Sequence, residues 1–214
     1  MLDKDSIVIF GAGGHAKVVI DVLRSRNRPV TACLGLEPSE PVLGVPVFAG
    51  SAAAGELLAQ GITRAFVAIG DNTLRQREAE RAVGLGFQLV RAISPTAYVA
   101  PSVSLGAGVL IVHGAVVNAD AKIGDNVIIN TGATVDHDNV IGAGVHIGPG
   151  SHLAGWVNVG AGAFVGAGAV VIPGISIGTH AVVGAGAVVV RDVVSQHRVW
   201  GNPARDKGSI TLVD

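Results

Sequence analysis

The chain has 214 residues, a formal net charge of −1 and only 14% charged side chains, so no basic excess exists to hold a polyanion such as nucleic acid. It is 49% hydrophobic but 4% aromatic, with 31 glycines, about twice the usual share, so small and branched side chains must fill its core. Cys33 is the only cysteine, which excludes an intrachain disulfide and fits a reducing compartment.

The start, "MLDKDSIVIF", lacks the apolar core and basic flank of a signal peptide. Every apolar run is cut by Gly or polar residues before the ~18–20 residues a membrane span needs. The expectation is a soluble cytoplasmic protein with no membrane partner.

A short β-branched run, "SIVIF" (6–10), leads into "GAGGHAK" and then "VVIDVLRSR", where Val18, Val19, Val22 and Leu23 recur at helical spacing. A second strand is expected at 29–34, a helix at 51–60, a third strand at 64–70 and a helix after "GDN" (70–72). Strands alternating with helices imply a parallel α/β unit, here half of a full dinucleotide fold and large enough for one mononucleotide-sized site. "GAGGHA" matches G-x-G-x-x-A between a strand and a helix. Gly11, Gly13 and Gly14 would let backbone N–H groups approach a phosphate, with His15 and Lys17 as added donors. The alternative is a tight turn with no ligand. Asp71 and Asn72 end the third strand, at the edge where ligands bind in an open parallel sheet. They are candidates for a sugar or ribose, or else for a helix N-cap.

Near residue 96 the period becomes six. Val99 and every sixth residue up to Val189 are branched aliphatics, sixteen in all, with no insertion. The residue four later in each hexad is small or apolar except at Asn139 and Ser151. Each hexad reads as a very short strand plus a corner, with coils stacked along one axis. The domain boundary is therefore set at 1–95 and 96–214. A flat, Ala/Gly/Val-rich outer face on such a helix favours closed symmetry, and a homotrimer is expected.

Inside this bland stretch stands "TGATVDHDN" (131–139). His137 lies two after inward Val135, at a corner, so its ring should point outward. An imidazole whose second nitrogen donates to a carboxylate is held in one tautomer and can take a proton. Asn139, in the inward row, should hydrogen-bond the backbone around that corner. Gly155 and Trp156 lie eighteen residues, three hexads, after His137 and Asp138.

The hexads resemble the left-handed parallel β-helix of the hexapeptide acyltransferases. The handedness comes from that resemblance, since it runs against the usual crossover rule. "IVIFGAGGHAKVVIDVL", "VAIGDN", "NTGATVDHDNVIGAGVHIGPGSHLAG" and the late "GNPA" together resemble the sugar acetyltransferases that modify nucleotide-linked amino sugars, alongside the sialic acid O-acetyltransferases.

The resemblance implies an α/β mononucleotide-binding (half-Rossmann-like) domain followed by a left-handed parallel β-helix. It implies N-acetylation of a UDP-, GDP- or dTDP-linked amino sugar in surface glycan or lipopolysaccharide biosynthesis, with acetyl-CoA as cosubstrate and no metal. In that reading His137 is the general base and Asp138 its orienting acid. His146 and Gly155 face acetyl-CoA, and the large ring of Trp156 contacts either CoA or a neighbouring subunit. Gly13, Gly14, His15, Asp71, Asn72, Asn130 and Thr131 serve the nucleotide sugar. His137 and His146 are half a coil apart, so an intersubunit site is expected.

Relatives often carry an acidic pair after the second strand. This chain has Leu34, Gly35, Leu36 and only then Glu37, which leaves the base open. The rival readings are O-acetylation of a sialic-acid-like sugar, a zinc hydratase of the carbonic anhydrase type, a nicotinamide-dependent enzyme and a non-catalytic scaffold. Zinc needs three ligands at about 2.1 Å, and His137 between two carboxylates suits base work better. A nicotinamide enzyme lacks its second half-domain.

Overall fold

The computed structural model describes residues 5–210, and the chain divides between Pro95 and Thr96 into two compact units.

In the first unit, β1 (Ile7–Phe10) lies between β2 (Val30–Gly35) and β5 (Arg64–Val67). With β4 (Val45–Ala49) beyond β2 and β6 (Gln88–Leu89) beyond β5, these strands are parallel. The helices α1 (Gly14–Arg24), α2 (Gly50–Ala59) and α3 (Asn72–Leu85) follow β1, β4 and β5. Val8 and Phe10 of β1 share a buried cluster with Ala54 and Leu57 of α2 and with Ala79 and Ala82 of α3. Phe10 meets Phe87 edge-on at 5.4 Å.

One element departs from the sequence expectation. Residues 39–49 form an antiparallel hairpin of β3 (Ser39–Val42) and β4, turning through Leu43 and Gly44 at positive φ. Pro38, Pro41 and Pro46 mask the strand pattern there; Pro41 is tolerated because β3 is the edge strand, and Pro46 precedes the residues of β4 that pair with β2, Val47 to Ala49.

The second unit is the hexad helix. Each hexad contributes a two-residue strand, and residue i pairs in parallel with i+18, as Val117 does with Val135 and Ile129 with Ile147. Three sheets result, one for each side of a triangular coil. The sixfold row points inward: from Ile111 to Val189 every member is at most 4% exposed. Burying a side chain of this size contributes about 1.5–3 kcal/mol each. Ser151, one of the two polar residues of the companion row, is fully buried and donates to the Gly166 carbonyl at 2.8 Å. After the last coil, His197–Trp200 pairs in parallel with Val182–Val183 and antiparallel with Arg205–Ser209, the "GNPA" turn lying between those two strands.

Candidate active site

The "TGATVDHDN" corner is built by its own hydrogen bonds. Asp136 Oδ1 accepts from the His137 backbone N–H at 2.8 Å and from Asn118 Nδ2, one coil below, at 2.9 Å. These two donors, Asn118 first, hold the Asp136 carboxyl below its ordinary range. Asn139 has no exposed surface. Its Nδ2 donates to the carbonyls of Asp136 (2.7 Å) and Ala154 (3.0 Å), and its Oδ1 accepts from the Val157 N–H (2.7 Å). A polar side chain is tolerated inside the coil because every one of these buried groups is paired. It ties the His137 corner to the corner above.

On this base His137 stands half-exposed, with Nδ1 2.8 Å from Asp138 Oδ2. The hydrogen bond to Asp138 is the main reason the imidazole is more basic than usual, with the Asp136 charge assisting. Nδ1 donates to the carboxylate, so Nε2 is the nitrogen that can take a proton. Gly155 closes over the ring: a Cβ there would stand 2.5 Å from Cε1 and 2.6 Å from Nε2 of His137. Its lack of a side chain makes room for the imidazole itself, in addition to any room it leaves a cosubstrate. Trp156, at φ +62° and 62% exposed, meets His137 edge-on at 6.4 Å. A bulky residue in the left-handed region is uncommon and marks this corner further.

A second cluster forms on another side of the prism. His146 lies in the ladder of Ile128 and Phe164 and is only 8% exposed. Its ring meets Phe164 edge-on at 5.2 Å, and Nε2 lies 3.0 Å from Asn130 Nδ2. Asn130 Oδ1 accepts from the Thr131 N–H at 2.8 Å, so its amide nitrogen faces His146 and Nε2 acts as acceptor. The structure thus groups Asn130 and Thr131 with His146 and apart from the His137 corner of the same chain. His113 and His152 pair with Thr96 (3.4 Å) and Thr134 (3.0 Å). Among the described residues no three His, Cys, Asp or Glu side chains converge as metal ligands, and no helix is long and apolar enough to cross a membrane.

The first unit holds a cavity of about 410 Å³ at the carboxyl ends of β1, β2 and β5. Gly11 takes φ +112°, and a Cβ there would stand 2.8 Å from the Ala68 carbonyl, so only glycine joins β1 to α1 this closely. Gly13 caps α1 without a side-chain partner, and no atom lies within 4 Å of where a Cβ on Gly13 or Gly14 would stand. The helix start is therefore open toward the cavity, a ready anion site. His15 also lines it. Burial, and then the Arg75 charge, lower its pKa to about 4.

Asp71 and Asn72 do not line the cavity. Asp71 caps α3 by accepting from the Leu74 N–H at 2.8 Å. Asn72 Oδ1 accepts from Arg75 at 2.8 Å. Arg75, 2% exposed, also donates to the carbonyls of Ile69 and Gly70 at 3.1 Å. The "GDN" segment is thus shaped by a buried arginine, which hydrophobic periodicity alone does not single out. The cavity is lined instead by Leu36, Glu78 and Arg81, among others, charged or exposed residues that no sequence motif marks.

An outward imidazole–carboxylate pair on a β-helix, joined to a phosphate-ready α/β unit, defines an acyl-transferring enzyme of the hexapeptide class. Residues 6–82 match the family model of the PglD N-terminal domain, and residues 138–173 that of the bacterial transferase hexapeptide (six repeats). A variant of perosamine N-acetyltransferase from Caulobacter crescentus, solved with CoA and GDP-perosamine, is 52% identical over 95% of this chain and 97% of that one, with a TM-score of 0.94. The acetyltransferase domain of PglB from Neisseria gonorrhoeae, solved with acetyl coenzyme A, is 36% identical over 94% of this chain and 98% of that one, with a TM-score of 0.90. WeeI from Acinetobacter baumannii is 26% identical over 94% and 98% of the two chains, with a TM-score of 0.74. The chain belongs to the hexapeptide-repeat nucleotide-amino-sugar N-acetyltransferases.

Proposed function

We propose that the chain transfers the acetyl group of acetyl-CoA to the amino group of a nucleotide-linked amino sugar, with a GDP-linked sugar of the perosamine type as first candidate. The observation that carries this reading is the His137–Asp138 pair, 2.8 Å apart, with Nε2 available for a proton. The amine nitrogen attacks the thioester carbonyl carbon, and His137 Nε2 takes a proton from that nitrogen as the tetrahedral species forms. Asp138 steadies the imidazolium. Collapse breaks the carbon–sulfur bond, and the proton passes to the CoA thiolate. The open start of α1 at Gly13 and Gly14 suits the diphosphate of the acceptor.

His137 and His146 occupy different sides of one β-helix. This supports a homotrimer in which the His137 corner of one subunit meets the His146 side of the next, with His146 toward acetyl-CoA and Asn130 and Thr131 toward the nucleotide sugar. Cytoplasmic surface-glycan biosynthesis, where acetyl-CoA and nucleotide sugars are both supplied, is the setting we propose. The relatives named above favour nitrogen over oxygen as acceptor. The test is thiol release from acetyl-CoA with a panel of GDP-, UDP- and dTDP-linked amino sugars, with product mass as a second readout. Transfer to at least one amino sugar is expected. Transfer only to a hydroxyl sugar, or none at all, contradicts the proposal.

A further inference from the structure

Glu78 and Arg81 both line the cavity of the first unit. They bind each other: Arg81 Nη1 donates to Glu78 Oε2 at 2.9 Å and to Oε1 at 3.2 Å. The pair is electrically neutral, and His15 in the same wall is uncharged at neutral pH. The lining side chains therefore offer a diphosphate no net positive charge. The open start of α1 supplies that attraction instead. An arginine serving as a phosphate clamp gains nothing from a carboxylate on it inside the same cavity. A guanidinium beside a carboxylate supplies direction: parallel N–H donors next to paired acceptor oxygens.

The pair also stands in a telling place. Arg81 Nη2 lies 3.3 Å from where a Cβ on Gly50 would be, and the Gly35 carbonyl lies 3.4 Å from that same point. The guanidinium thus reaches from α3 to the first residue of α2, at the carboxyl ends of β2 and β4. With phosphates at the start of α1, the base end of a nucleotide falls at this edge of an open parallel sheet. The β2 end itself offers Leu34, Gly35 and the fully exposed Leu36. These suit the flat face of a base and make no side-chain hydrogen bonds to its edge.

We propose that the Glu78–Arg81 pair reads a guanine base. Guanine presents two neighbouring donors, N1–H and the N2 amino group, that match a carboxylate. It presents two neighbouring acceptors, O6 and N7, that match a guanidinium. Uracil and thymine carry a single ring N–H between carbonyls, and adenine has no such donor pair, so neither satisfies both side chains in bidentate fashion. This assignment rests on the nucleotide-sugar reading above and deepens it by naming the two side chains that select the base.

The test is calorimetric binding of GDP, IDP and UDP to the full-length protein and to Glu78→Gln and Arg81→Met. IDP lacks only the 2-amino group. The wild type is expected to bind GDP about 10- to 100-fold more tightly than IDP or UDP, the span of a hydrogen bond to a charged group. Glu78→Gln should erase the GDP-over-IDP preference and leave UDP binding unchanged. Arg81→Met should weaken GDP and IDP alike. Unchanged acetyl-CoA binding and thermal midpoint show that each variant is folded. A wild type that does not prefer GDP, or a GDP/IDP ratio that survives Glu78→Gln, overturns the assignment. Binding is read without acetyl transfer, so the two proposals fail separately. Guanine selectivity with no transferase activity sinks the proposed function alone. Acetylation of a UDP- or dTDP-linked sugar that GDP does not inhibit sinks this assignment alone.

Discussion

Replacing Gly155 with alanine separates the shape of the catalytic corner from its chemistry. The added methyl would stand 2.5 Å from Cε1 and 2.6 Å from Nε2 of His137. Non-bonded carbon and nitrogen atoms normally stay about 3.5 Å or more apart, so the imidazole must retreat by about 1 Å. His137 is an exposed corner side chain and can make that move at little cost to the fold. A shift of this size at a reacting group lowers the rate by about 10²-fold. Gly155→Ala should therefore keep its thermal midpoint within a few degrees and lose about two orders of magnitude in kcat. In a His137→Ala background the same substitution should change almost nothing further, because the two effects share one atom group. The assay is thiol release at saturating acetyl-CoA and amino sugar. A Gly155→Ala enzyme with wild-type kcat would refute the packing argument.

The Asp138 hydrogen bond is the largest cause of the raised His137 pKa. The base must be unprotonated to act, so kcat/KM should rise with pH through a midpoint above the ordinary imidazole value of about 6.5. Asp138→Asn should move that midpoint to lower pH and lower the plateau, read from a pH–rate profile. His15 is half-buried and neutral, with its pKa at about 4 against 6.5 unfolded. Its contribution is present above pH 6.5 and lost as pH falls toward 4, when the unfolded chain binds the extra proton. That shift corresponds to about 3 kcal/mol, visible as a falling urea midpoint that His15→Gln should flatten. His137→Ala and His146→Ala, each weak alone, should regain activity when co-expressed as mixed trimers confirmed by mass. Activity at the parental average would place both residues in one chain or His146 outside the site.

Much of this was readable because the β-helix repeats. Sixteen aliphatics in one phase set the coils, and the break at Asp136–Asn139 stood out against them. Even the role of Asn139 follows from its place in the inward row. Pairwise detail was less legible. That Gly155 yields to an imidazole depends on two corners stacked at atomic distance. Asn130 meets His146 only because the strand just before it pairs with the one eighteen residues on. Asp71 and Asn72 sit at the carboxyl edge of the sheet, yet Asp71 caps α3 and Asn72 pairs with buried Arg75, so only Gly70 of the segment lines the cavity. The hairpin at 39–49 was hidden by its prolines. Glu78 and Arg81 look, in sequence, like an ordinary i,i+3 surface pair.

The central claim is that His137 is the general base of acetyl transfer. The direct measurement is kcat of His137→Ala at neutral pH, with the acceptor sugar identified and both substrates saturating. A fall of about 10²- to 10⁴-fold, partly recovered at higher pH as the amine loses its own proton, is the expected result. An unchanged kcat in a folded His137→Ala protein removes the histidine from the mechanism and contradicts the assignment.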